Sequence, residues 1–251
     1  MKKYFLLYVV AVLSIIIIFI SGCKKVYDYI EIHPSADLKI CPIQRFIFSM
    51  PYSNYIDTLN FNYNILGDPV SITRPEPRTG APNYLFRYDK IGRLTDFIGV
   101  YSNGIWTELW HRYFYDGQNR IVTDSVFVFG EIVNGQLKKF DDSYVNLLKY
   151  DSKNRIVVET RIWRGQTQNF NYSYDVAGNK IGGIYDQKTN FHRTNKIWMF
   201  LDRDYSLNNP FQAINYNSLM LPTKIGLSMP SYSLFLDNGF LNATIDYMCS
   251  N

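Results

Sequence analysis

The 251-residue chain carries 26 Lys and Arg against 22 Asp and Glu, a formal net charge of +4, and its basic residues form no run interleaved with aromatics. That balance argues against nucleic acid as a partner and against a basic membrane-surface patch. The one compositional excess is aromatic, 17% of the chain with 21 Tyr, 17 Phe and 4 Trp; cross-strand aromatic ladders and an aromatic binding surface are the two accounts of it.

Met1-Lys2-Lys3 is a positive leader, residues 4–20 are an almost unbroken apolar run, and Ser21-Gly22 stand directly before Cys23. Small residues before a cysteine at the end of such a run are the pattern of a lipoprotein signal, so residues 1–22 are expected to be removed and Cys23 to carry the lipid. The competing reading is an N-terminal membrane-spanning anchor, because the run is about as long as a bilayer needs. Cleavage would remove Lys2 and Lys3 and leave 24 basic against 22 acidic residues, a net charge of +2. Residues 23–42 lack periodicity and hold Pro34 and Pro42, which suits a tether.

From residue 43 apolar and polar residues alternate, as in 44–48 and 58–64, the period of a half-buried strand. Four related stretches then follow: Tyr88-Asp89-Lys90-Ile91-Gly92-Arg93-Leu94, Tyr115-Asp116-Gly117-Gln118-Asn119-Arg120-Ile121, Tyr150-Asp151-Ser152-Lys153-Asn154-Arg155-Ile156 and Tyr174-Asp175-Val176-Ala177-Gly178-Asn179-Lys180-Ile181. The last reads as having one extra residue. Each is expected to be a hairpin turn. The Asp accepts from backbone N–H groups two or three residues on, and the residue four after Tyr (Gly92, Asn119, Asn154, Gly178) takes a positive φ at little steric cost. Each Tyr should pack on the far strand, against Leu94, Ile121, Ile156 and Ile181, while Arg93, Arg120 and Arg155 lie over Tyr rings or pair with Asp. Residues 61–70 read as a degenerate first copy with Gly67 at the turn.

Between these turns, 74–82 holds Pro75, Pro77 and Pro82 and is expected to be an exposed loop. Ser102-Asn103-Gly104 and Arg164-Gly165-Gln166 link further strands, and Asn134-Gly135 tips a long hairpin before Tyr150. Residues 195–201 are continuously apolar and predict a short helix ended by Asp202-Arg203-Asp204. Closing strands are expected at 231–236 and 240–248, joined by Asp237-Asn238-Gly239. The expected architecture is all-β: one domain over 43–251, a meandering antiparallel sheet of repeated β-hairpins, open or solenoid-like, with one short late helix.

The Tyr-Asp-x-x-Gly-Arg-Leu pattern, clearest in residues 86–94 and 113–121, resembles the YD repeat of the RHS family over roughly residues 60–185. Within it the chain is most similar to the small YD-repeat lipoproteins of Bacteroidetes, which have an insertion after the last hairpin running to an element like Asn209-Pro210-Phe211 here. The toxin-enclosing shells of the largest members need far more repeats than this chain holds, so that function is not implied. For a lipoprotein of this kind, Lys24 behind the cysteine favours the outer membrane over the inner. Lys24-Lys25-Val26-Tyr27 in place of acidic residues leaves both the periplasmic face and the cell surface open.

No nucleophile elbow, zinc-protease motif or phosphate-binding loop is present. His33, His111 and His192 stand far apart without a second ligand at metal spacing, so no metal or cofactor is expected. Asp89, Asp116, Asp151 and Asp175 are explained as turn formers. In an oxidising compartment Cys41 and Cys249 are either a disulfide clamping the first strand to the last or two separate thiols. Trp106 and Trp110, four apart in one strand, should share a face, and Trp163 lies on a later repeat; these are the candidate ligand contacts. Two functions follow: a non-catalytic, lipid-anchored envelope binding or scaffold protein contacting glycan or another envelope protein, or an envelope hydrolase or processing enzyme, which requires a concave pocket where two or more carboxylates, or a His and a carboxylate, converge.

Overall fold

The computed structural model describes residues 41–50, 55–227 and 233–249, together with His33, Ala36 and Asp37. The expected signal peptide and Cys23 lie outside the described residues, as does most of the tether. Ten strands pair in chain order: β1 (Ile43–Ser49), β2 (Ile56–Tyr63), β3 (Pro69–Thr73), β4 (Asn83–Tyr88), β5 (Leu94–Val100), β6 (Trp106–Tyr115), β7 (Ile121–Val133), β8 (Gln136–Tyr150), β9 (Ile156–Trp163) and β10 (Gln166–Asn171). A long insertion then carries a 3-10 turn at Phe191–Thr194 and helix α1 (Lys196–Leu201) before β11 (Asn215–Tyr216), β12 (Pro222–Gly226), β13 (Ser233–Phe235), β14 (Asn238–Phe240) and β15 (Asn242–Tyr247). β15 returns to β1 and is followed outward by β12 and β11, which completes one open 13-stranded sheet with β10 and β11 at its margins.

The turns obey one rule. In the first three Tyr-Asp copies the Asp side chain accepts from the backbone N–H groups two and four residues on: Asp89 from Ile91 and Arg93 at 3.0 and 2.9 Å, Asp116 from Gln118 and Arg120 at 2.8 and 2.9 Å, Asp151 from Lys153 and Arg155 at 2.9 Å each; Asp175 accepts from Asn179 N, four on, at 2.8 Å. Asn64 does the same for Leu66 and Asp68 at 2.9 and 3.0 Å, which bears out the degenerate first copy. The left-handed residue is Gly67, Gly92, Asn119, Asn154 or Gly178, with φ between 58 and 82°. The fourth copy has no extra residue: Tyr174 bridges Lys180 as Tyr88 pairs Leu94, so Lys180 takes the Leu position and Ile181 is left exposed.

One further copy is invisible to the Tyr-Asp pattern. Tyr216-Asn217-Ser218-Leu219-Met220-Leu221-Pro222 forms the same turn, with Asn217 accepting from Leu219 and Leu221 at 3.0 Å each and Met220 at φ 61°. Its match is the first copy, Tyr63-Asn64-Ile65-Leu66-Gly67-Asp68-Pro69.

Successive turns are stitched together. Each anchoring hydroxyl donates to a carbonyl of the turn before: Tyr88 to Pro69 at 2.6 Å, Tyr115 to Leu94 at 2.8 Å, Tyr150 to Ile121 at 2.7 Å and Tyr174 to Ile156 at 3.4 Å. Tyr247 joins the series, donating to Pro222 at 2.8 Å. Arg93, Arg120 and Arg155 lie over the next ring, at 4.6, 5.2 and 4.0 Å from the centroids of Tyr115, Tyr150 and Tyr174, while ion-paired to Asp89, Asp116 and Asp151.

The insertion covers one face of the sheet. Asn195 caps α1 by accepting from Ile197 N at 2.9 Å, and Ile197, Trp198, Met199 and Phe200 are all buried, which explains the unbroken apolar run. Trp198 meets Phe61 and Phe86 of the sheet at centroid distances of 5.4 and 5.8 Å and Phe235 of β13 at 6.0 Å. The helix is thus clasped between the sheet and the β13–β14 hairpin. That hairpin differs from the expected one. Its turn falls on Leu236 and Asp237, at φ 51 and 61°, because Asn238 is held in β14: it accepts from Arg74 at 2.8 Å and donates to Phe235 O and Leu236 O at 3.1 and 2.7 Å. The expected second closing strand splits accordingly, into β14 paired with β13 and β15 paired with β1 and β12.

The loop 74–82 is exposed only in its middle. Arg74 is buried and ion-paired to Asp57, and Ala81 and Pro82 are also buried.

Trp110 is wholly buried, in a second, smaller core with Ile98 and Val100 against Phe127, Ile132 and Leu137. The long hairpin closes this core: its tip bonds back to β4 through Arg87 Nη1 to Gly135 O at 2.9 Å, and Ile132 N donates to Ile105 O at 2.7 Å. The bend uses Phe129 at φ 46° and Gly130, where a Cβ would lie 2.9 Å from both Lys139 O and Thr107 Oγ1.

Cys41 and Cys249 form a disulfide. The ends meet because β15 pairs beside β1, a route a simple meander would not offer. Reduction, or Cys41→Ser with Cys249→Ser, is expected to lower unfolding free energy by about 2–5 kcal/mol. Trp110→Ala should cost about 3–5 kcal/mol through the cavity it leaves. Both are read by urea unfolding.

Candidate functional site

The insertion and the sheet do not close completely on each other. Between them, over β6 to β10, is a cleft whose floor carries polar and charged groups at inward strand positions: His111 on β6, Asp124 on β7, Asn146 on β8, and Glu159 and Arg161 on β9. Its roof is the segment 201–204 after α1 and the Leu236–Asp237 turn, tied together by Leu236 N donating to both Asp202 oxygens at 2.9 and 3.1 Å. The outer part has a volume of about 310 Å³, and an inner pocket of about 110 Å³ continues from it past His111 and Arg203.

Arg203, held at φ 52°, is the centre of the charge network. Its Nε donates to Glu159 at 2.9 Å, and its Nη2 lies 3.7 Å from Asp124. Those carboxylates keep the guanidinium firmly charged against the cost of burial. His111 Nδ1 sits 3.0 and 3.1 Å from the Asp124 oxygens, and Asn146 Nδ2 donates to the same carboxylate at 3.2 Å. Burial alone would raise Asp124, but His111, Arg203 and Asn146 outweigh it and hold the carboxyl below its usual range. Opposite a carboxylate, Nδ1 carries the proton.

Behind the roof, His192 faces acceptors from both ring nitrogens, Asn190 Oδ1 at 2.9 Å and Asp202 Oδ2 at 2.7 Å, which requires the imidazolium. Burial pushes it down; the hydrogen bond and the charges of Asp202 and Asp204 push it up further, and the net shift is upward. Asp204, raised by burial, is brought below its usual range by His192, Ser206 and Lys180. Asp237 at the rim goes the other way. Although part of the side chain reaches solvent, desolvation and the Asp202 charge raise its carboxyl.

Aromatic faces line the outer cleft. Arg161 is sandwiched between Tyr144 and Phe170 at 4.7 and 5.3 Å, and Lys180 lies 4.4 Å from the Tyr172 ring centroid. Flat apolar faces beside fixed donors and acceptors are what a site for a polar ligand requires.

The expected tryptophan face is not formed. Glu108 is an extra residue opposite β5, where the register slips between Gly99 and Val100, so Trp106 and Trp110 turn to different environments. Trp106 is 50% and Trp163 42% exposed, whereas Trp110 is fully buried, its Nε1 donating to Asp96 at 2.6 Å. Trp163 is engaged by Asp142 at 2.9 Å and by Arg164 over its ring at 4.8 Å. The repeat Asp residues serve their turns. Among the described residues no group of three His, Cys, Asp or Glu is placed to hold a metal ion.

Neither protein-family models nor curated proteins match this chain.

Loss of Asp202 would strand a buried imidazolium, so Asp202→Ala should cost about 3–5 kcal/mol at acid to neutral pH. The folded value of His192 lies above its ordinary 6.5, so the protonated ring stabilises the fold fully below 6.5 and loses that contribution as pH rises through the raised value. Unfolding measured against pH should show this alkaline loss in the unsubstituted protein and not in His192→Gln.

Proposed function

We propose that this chain is a non-catalytic binding protein of the bacterial cell envelope, of the YD-repeat lipoprotein type. It is anchored in the outer membrane through a lipid on Cys23 and takes a polar ligand, a glycan or a segment of an envelope protein, in the cleft over β6 to β10. The observation that carries the reading is the combination in one cleft of the faces of Tyr144, Phe170 and Tyr172 with the fixed polar groups of Asn146, Glu159 and Arg161. Sugars and peptide segments are bound by such pairings of flat apolar surface with oriented hydrogen-bonding groups. The half-exposed Trp106 and Trp163 are secondary contacts.

The hydrolase reading has one observation in its favour. Asp124 with a lowered carboxyl, buttressing His111, and Asp237 with a raised one line the same inner pocket, and such a divergence suits an acid and a base. Among the described residues no Ser, Cys or Thr lines that pocket, so a nucleophile there would have to be a carboxylate or a water.

Binding of the mature chain to arrayed envelope glycans, with crosslinking to envelope proteins in cells, tests the first reading. Tyr172→Ala and Arg161→Ala should each weaken the ligand so found by about tenfold or more. If neither screen yields a ligand and a bond-cleaving activity is detected instead, the hydrolase reading replaces it. Palmitate labelling should be abolished by Cys23→Ala, and protease treatment of intact cells distinguishes surface from periplasmic face.

A further inference from the structure

The inner pocket carries polar groups that the fold itself leaves unused. Tyr113 is only 4% exposed, lines the pocket, and its hydroxyl has no hydrogen-bond partner. A buried hydroxyl without a partner costs about 1–3 kcal/mol, which is uncommon unless something else occupies it. His111 commits Nδ1 to Asp124 and leaves Nε2 with no bond among the described residues. Asp237 lines the same pocket at its exposed rim, at the tip of a turn in which both Leu236 and Asp237 are left-handed, and its carboxylate has no hydrogen bond or ion pair among the described residues. Left-handed Leu and Asp in succession are a strained way to make a turn.

These groups share one character. With Nδ1 turned to Asp124, the His111 ring in its neutral form offers Nε2 as an acceptor, a carboxylate only accepts, and a phenol oxygen can accept. The surrounding charge agrees. Glu108, Asp124, Asp202 and Asp237 line the pocket; Asp202 is paired with the His192 imidazolium behind the roof, and Arg203 is shared between Asp124 and Glu159, which leaves the balance negative. The walls include Tyr84 and Phe97, stacked at 5.0 Å. Three acceptors, excess negative charge and aromatic walls complement a group with three donors, no acceptor and a positive charge.

We propose that the inner pocket recognises a primary ammonium group, held by Asp237, His111 Nε2 and the Tyr113 hydroxyl, with the remainder of the ligand lying in the outer cleft. This deepens the binding reading given above and rests on it. About 110 Å³ admits the ammonium and its nearest carbons but not a bulky carrier, so the group sits at a ligand's end. An amino sugar and the amino terminus of a short peptide share this chemistry. The hydroxyl is sealed from solvent, so its contact with the ligand requires a local opening of the pocket wall.

Calorimetric titration of the full mature chain near neutral pH tests the proposal, with glucosamine and glycylglycine as probes and their N-acetylated forms as charge-free counterparts. At least one amine should bind about tenfold or more tightly than its acetylated form. Asp237→Asn should weaken that amine by a similar factor. Tyr113→Phe should weaken it while leaving the thermal midpoint unchanged or higher, an outcome that a purely structural role for the hydroxyl does not give. Preference for glucosamine identifies the sugar source and preference for glycylglycine the peptide source. Equal or better binding of the acetylated forms, indifference to Asp237→Asn, or no binding of either amine at millimolar concentration overturns the proposal. If acetylated sugars bind and are lost with Arg161→Ala but not with Asp237→Asn, the cleft reading stands and the ammonium site falls.

Discussion

The architecture depends on a tyrosine hydroxyl that donates backwards. Tyr88, Tyr115, Tyr150 and Tyr174 each reach across to a carbonyl of the turn before, and the arginine of that turn lies over the ring of Tyr115, Tyr150 or Tyr174. A strand slipped by one residue would present its entire apolar set to the wrong face. The stitch opposes such a slip, because moving one turn would break a hydrogen bond and an aromatic contact to its neighbour as well as its own ladder. A wide sheet can then be held in register without closing on itself.

An open sheet this wide still has a face to cover, and a single short helix cannot do it. The 3-10 turn, α1 and the β13–β14 hairpin do so together; Leu236 N donating to Asp202 joins the hairpin to the segment after α1, and Arg74, in the loop after β3, donates to Asn238 and ties the hairpin to the sheet. Their apolar side chains meet the sheet over β1 to β4, around Phe46, Phe61 and Phe86. Over β6 to β9 some inward positions are charged, as at Asp124 and Glu159, and the cover meets them with Arg203. Groups buried this way are tolerable only when paired, and pairing fixes their orientation. The cleft is therefore preorganised by the same network that lets the charges be buried, while the groups left over, on Tyr113, His111 and Asp237, face the pocket.

The strands and turns were legible because their chemistry is local. An Asp or Asn that accepts from the next backbone amides, followed by a residue tolerant of positive φ, writes the hairpin into adjacent positions. The turn at Asn217 escaped because Met220 occupies the left-handed position and Leu221 replaces Arg. The helix was legible as an apolar run, and the disulfide only as one of two outcomes, since the return of β15 to β1 is non-local. The site was mostly not legible. Asp202-Arg203-Asp204 read as the end of a helix, and His111 and His192 as unrelated. A charged residue at an inward strand position, as at Asp124 and Glu159, was the available signal. What remained hidden was which distant segment supplies the counter-charge. Trp110 misled because strict alternation places it with Trp106, and one extra residue at Glu108 breaks that alternation.

The disulfide has a mechanical consequence. Strand β1 is flanked by β2 and β15, and Cys41, just ahead of it, is bonded to Cys249, just beyond β15. Tension drawn through the segment before Cys41 cannot peel β1 away like the end of a zip. It divides at the bridge between β1 and β15, so both strands share the load. A protein pulled at that point would yield last where it is held, leaving the distant margin at β10 to respond first to anything that engages it.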